Sequence, residues 1–130
     1  MWYRNSIASL LCLFLFAHCN KGSDNDTPPP PPASLILTNV RLNGQTVSQN
    51  SYNINPLPEL RYQFSTPVDR NTVINSIQFT NSNGIAIPFN TSYQSGDSII
   101  VIKPSANLNY LTRYFISLRT SLKSTAGKNL

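Results

Sequence analysis

Histidine and cysteine are almost missing from this chain, and their positions decide which chemistry remains. The only histidine is His18 and the only cysteines are Cys12 and Cys19, all within the first nineteen of 130 residues. Beyond that leader no Ser-His-Asp or Cys-His arrangement and no histidine-based zinc site can be assembled. No disulfide can support the rest of the chain in an oxidising compartment. Trp2, the single tryptophan, lies in the same leader, so any aromatic surface further on must be built from tyrosine or phenylalanine.

Charge is scarce too, at 12 % of residues. After residue 33 the acidic side chains are Glu59, Asp69 and Asp97 alone. Each has a plain role, at a strand edge, a turn cap and a turn, which leaves no obvious pair of glycosidase carboxylates. Asp24 and Asp26 stand in a polar leader and fall far short of a calcium loop. Gly44, Gly84, Gly96 and Gly127 stand singly at turns, so no glycine-rich phosphate loop is present. No cofactor and no metal are expected, and the chain does not read as an enzyme. The net charge of +5 comes from residues spread singly along the chain. Nothing there tracks a phosphate backbone, so no nucleic-acid partner is expected.

What is present begins with an apolar run from Ile7 to Ala17, preceded by Arg4. It is shorter than the ~20 residues a membrane span needs, and it fits the apolar region of a secretory signal. Leu15-Phe16-Ala17-His18-Cys19 resembles the lipobox of bacterial lipoproteins, although Phe16 and His18 depart from the usual pattern. The resemblance implies a signal peptide over 1–18 and a lipid on Cys19, hence a membrane partner. Asn20 in place of Asp favours the outer membrane or cell surface over inner-membrane retention. Residues 19–33 are polar and end in Pro28 to Pro32. Such a segment has nothing to bury and favours an extended rod, a stalk for a tethered domain.

The folded part, 34–130, reads as short strands. Leu35 to Leu42 is the first, closed by the turn Asn43-Gly44. Val47, Tyr52 and Ile54 are expected to anchor the polar stretch after it. Leu60, Tyr62 and Phe64 alternate with Arg61, Gln63 and Ser65, a period of two that buries one face of a strand. Pro67 ends that strand, and Asp69 is placed to cap a helical turn from Arg70. Ile77 and Phe79 give a third strand; Ile85, Ile87 and Phe89 give a fourth, which Pro88 marks as an edge. In Ser98 to Lys103 the expectation is Ile100 and Ile102 inward, with Ile99 and Val101 outward. Leu108 and Leu111 are expected to anchor a loop before Tyr114, Ile116 and Leu118. The spacing Leu108-x-x-Leu111-x-x-Tyr114 resembles a tyrosine corner. The fold class is all-β, an antiparallel sandwich.

Phe64-Ser65-Thr66-Pro67-Val68-Asp69, Ser76-Ile77-Gln78-Phe79, Ile100-Val101-Ile102-Lys103-Pro104, Leu111-Thr112-Arg113-Tyr114 and Leu122-Lys123-Ser124-Thr125-Ala126-Gly127-Lys128-Asn129-Leu130 occur in that order. Together they resemble the bacterial Ig-like domain of the S-layer (SbsA-like) type. The resemblance implies an immunoglobulin-like Greek-key sandwich and a module that spaces, displays or binds. In that family a further strand follows the Ala-Gly turn. Its lack here implies an open edge beside Tyr114 to Leu118, or a domain at the front of a longer protein with a downstream partner domain. The leading expectation is a non-catalytic, surface-exposed spacer or presentation module of a cell-envelope lipoprotein. The alternatives are a glycan- or protein-binding adhesion module, or an accessory domain of a larger carbohydrate-active enzyme. A binding surface for polysaccharide or protein is sought among Tyr52, Tyr93, Ile99, Val101 and Phe115, with Tyr110 a further exposed aromatic candidate.

Overall fold

A computed structural model describes residues 30–31, 34–47 and 50–130. The expected signal peptide at 1–18, Cys19 and nearly all of the 19–33 stalk lie outside the described residues. Seven strands and one short helix follow in the order β1 (Leu37–Leu42), β2 (Gln45–Thr46), β3 (Leu60–Phe64), α1 (Arg70–Ser76), β4 (Ile77–Asn81), β5 (Phe89–Gln94), β6 (Ile99–Pro104) and β7 (Tyr114–Leu118). Five strands form one sheet in the order β2-β1-β3-β6-β5, and β4 pairs with β7 in a second. Every strand pair is antiparallel. The chain crosses between sheets after β3, β4 and β6, which makes it an immunoglobulin-like β-sandwich.

Alternation in β3 does what its spacing requires. Leu60, Tyr62 and Phe64 are buried, while Arg61 and Gln63 face outward. Their inward neighbours on β6 are Ile100 and Ile102, both wholly inaccessible, and Val68, Val73, Ile77 and Leu122 complete the core. Phe79 sits 6.3 Å from both Phe89 and Tyr114, ring centre to ring centre, tilted on the first and edge-on to the second. Both are favourable aromatic geometries, and the Phe79–Phe89 pair joins the two sheets.

The crossover after β3 forms as its residues dictate. Pro67 has no N–H for a ladder. The Asp69 carboxylate then accepts a hydrogen bond from the Asn71 amide at 3.0 Å and caps α1. Val73 drops from that helix into the core.

Four expectations need correction. The first strand starts at Leu37, because Leu35 turns into the core instead of pairing. The fourth starts at Phe89, after Pro88, and runs to Gln94 at the edge of the large sheet. The stretch before Pro88 lies along β4 instead, through a bridge between Ala86 and Thr80. Tyr52 and Leu111 anchor nothing: they are among the most exposed apolar side chains, and Leu111 is fully in solvent with a φ of 54°. Among the described residues β7 has a partner strand on one side only.

Candidate binding surface

The outward face of the large sheet is set by register. One row across it runs Asn39, Gln63, Ile99, Gln94, and the next runs Arg41, Arg61, Val101, Ser92. Lys103 and Asn90 are paired beyond them, with Glu59 just before β3. Glu59 forms a 2.9 Å ion pair with Lys103 and lies 3.6 Å from Arg61. The Arg61 guanidinium also donates to the Gln94 side-chain oxygen, reaching over β6 to do so. A shallow cleft of about 180 Å³ opens on this face, lined by Asn39, Arg41, Arg61, Gln63 and Ile99.

Of the candidate residues, only Ile99 belongs to that cleft. Val101 does face outward as expected, yet it is 3 % exposed. Arg61 stands opposite it on β3 and reaches past β6 to Gln94, and at that exposure Val101 offers no surface. Tyr93 is half-buried against the core, and the Arg70 guanidinium stands 4.6 Å from its ring centre. Its face is therefore taken by a cation and cannot serve as a sugar platform. Tyr52, Tyr110 and Phe115 are exposed and belong neither to this cleft nor to the one between Ile87-Pro88 and Ser105 to Asn109. Cys19 lies outside the described residues.

A second cleft, of about 170 Å³, lies between Ile87-Pro88 and the loop Ser105 to Asn109, with Tyr114 in its wall. The Tyr114 phenol oxygen accepts a 2.8 Å hydrogen bond from the Asn109 amide, so the tyrosine corner is formed. That phenol is committed to holding its own loop.

The carboxylates of the described residues are likewise in structural use. Glu59 holds Lys103, Asp69 caps α1, and Asp97 takes two hydrogen bonds from Arg70, at 3.0 and 2.7 Å. This contact raises the Arg70 pKa still further, chiefly through the hydrogen bond to Asp97. Among the described residues no group of three or more His, Cys, Asp or Glu side chains gathers to hold a metal.

Sequence reasoning missed Asn39, Arg41, Arg61 and Gln63 as a group. Alternation in β3 marked Arg61 and Gln63 as outward, but nothing local tells that β1 would set Arg41 and Asn39 opposite them.

No curated protein matches the chain. Residues 37–130 match the family model described as "Bacterial Ig-like domain", most of the chain and all seven strands, and the chain belongs to that family.

Proposed function

We propose that this protein is a lipid-tethered spacer and presentation module of the bacterial cell envelope, of the S-layer (SbsA-like) type. Bacterial Ig-like domains usually occur in surface or extracellular proteins and are typically non-catalytic. The lipobox-like stretch ending at Cys19 and the five prolines from Pro28 supply a tether and a stiff stalk. On this reading the stalk leads into Ser34 to Ile36, and the Ile36 amide donates to the Ser65 hydroxyl at 3.0 Å.

One observation carries the non-catalytic part of this reading. Glu59, Asp69 and Asp97 are the only acidic side chains of the folded part, and each is held in a structural contact. General acid–base work needs a carboxylate free to trade a proton with a substrate. A downstream domain of the same protein is the partner that a spacer serves.

Metabolic labelling with a palmitate analogue tests the tether. Wild-type protein is expected to take up label and to be shaved from intact cells by added protease, and Cys19→Ser is expected to do neither. Unlabelled wild-type protein in the soluble fraction would overturn the proposal.

A further inference from the structure

Arg41 and Arg61 stand directly opposite one another on adjacent antiparallel strands, both side chains on the outward face. Like charges in that relationship repel and destabilise a sheet. Among the described residues the carboxylate that serves this face is Glu59, and it lies closer to Lys103 than to Arg61. Three cations therefore share one anion on this face. Arg41 makes no ion pair or side-chain hydrogen bond among the described residues. Beside the arginines, Asn39 and Gln63 form a second opposed pair, and Ile99 sits next to Gln63 on β6.

These side chains have distinct recognition chemistry. A guanidinium offers a planar fork of N–H donors that matches a carboxylate in two parallel hydrogen bonds. Primary amides both donate and accept, which suits hydroxyl groups. Ile99 gives an apolar floor for ring C–H groups. The cleft, at about 180 Å³, admits a single small ring rather than a long segment.

We infer that the cleft bounded by Asn39, Arg41, Arg61, Gln63 and Ile99 binds an acidic saccharide residue, its carboxylate between the two arginines and its hydroxyls on the amides. The inference goes beyond the spacer role and does not depend on the tether. A bound carboxylate relieves the Arg41–Arg61 repulsion, which gives the site its preference for an anion. The amides and Ile99 give it a preference for a sugar over a simple acid.

The test is a ligand-observed NMR titration of the full chain with sodium galacturonate, galactose, acetate and inorganic phosphate at low ionic strength. Galacturonate is expected to bind about tenfold or more tightly than each of the others. Arg41→Gln and Arg61→Gln are each expected to lower galacturonate binding by about tenfold, and Gln63→Ala to lower it without changing acetate binding. Arg41→Lys, which keeps the charge and loses the fork, is expected to fall between. Galactose or phosphate binding as tightly as galacturonate overturns the proposal, as does unchanged binding by Arg41→Gln. Melting temperature gives a separate readout. Without ligand, Arg41→Gln is expected to melt at the same or a higher temperature, because a repulsion is removed. A lower melting temperature shows that the protein itself holds Arg41, and also overturns the proposal.

Discussion

The amide of Asn109 donates to the phenol oxygen of Tyr114 across 2.8 Å, closing a loop of five residues onto the start of β7. This contact fixes how the chain enters the smaller sheet, since Tyr114 also packs edge-on against Phe79. Tyr114→Phe keeps the ring and removes only the acceptor. It is expected to cost about 1 kcal/mol, the net worth of one intramolecular hydrogen bond. Urea denaturation reads the loss, and a midpoint equal to wild type would show that water replaces the phenol without cost.

Phe64 is 3 % exposed and stands where β3 ends against the core. Phe64→Ala removes a buried ring from a region with little freedom to collapse. The expected loss is about 3–5 kcal/mol by denaturant unfolding. For a domain of marginal stability, ~5–15 kcal/mol, this approaches global unfolding. A loss below about 1 kcal/mol would mean that the inward face of β3 has been assigned wrongly.

Burial pushes the Tyr62 phenol from its ordinary value of 10.0 up to about 12. Between those values the unfolded chain has released the proton and the folded one still holds it. The unfolded state therefore binds fewer protons, and stability falls as pH rises. The contribution is fully present below pH 10 and is lost on passing through about 12. Each pH step of one across that window costs about 1.4 kcal/mol, so the whole loss is about 3 kcal/mol. Stability measured by denaturant at pH 9 to 12 is expected to drop along this course, and Tyr62→Phe is expected to flatten it. An equal drop in Tyr62→Phe would assign the effect elsewhere.

Leu111 holds a φ of 54° while its side chain contacts only solvent. A left-handed backbone costs a branched residue about 1–2 kcal/mol, and here no packing offsets it. Leu111→Gly removes the clash at some cost in chain entropy. The net expectation is a gain of about 0.5–1 kcal/mol, seen as a higher melting temperature. A fall would show that Leu111 makes contacts in the folded protein that its exposure hides.

Local signals were legible wherever one face of a strand had to be buried. Leu60, Tyr62 and Phe64 announce their own strand, Pro67 its end, and Asp69 the cap of the turn that follows. The inward placement of Ile100 and Ile102 was legible for the same reason. Leu111 was misread because an apolar residue in a loop counts as an anchor until the backbone is known. It takes a left-handed conformation, and its side chain lies in solvent. Tyr93 and Val101 were not legible as covered positions, because what lies over them comes from elsewhere in the fold: the Arg70 guanidinium stands over the Tyr93 ring, and Val101 is buried although it faces outward.

By itself the sequence determined that the folded part lacks histidine and cysteine and must hide its apolar residues on one side of short strands. Those are properties of single residues and of spacings two apart, and they hold whatever the chain pairs with. Only the tertiary structure decided that Arg41 faces Arg61 and that Asn39 faces Gln63. The two arginines are far apart along the chain, and a slip of one position between β1 and β3 would turn one of them to the other side of the sheet. Burial of Val40 and Leu42 beside Tyr62 and Leu60, on the inward face, holds that register in place. The charged face is thus fixed by the packing of the opposite one.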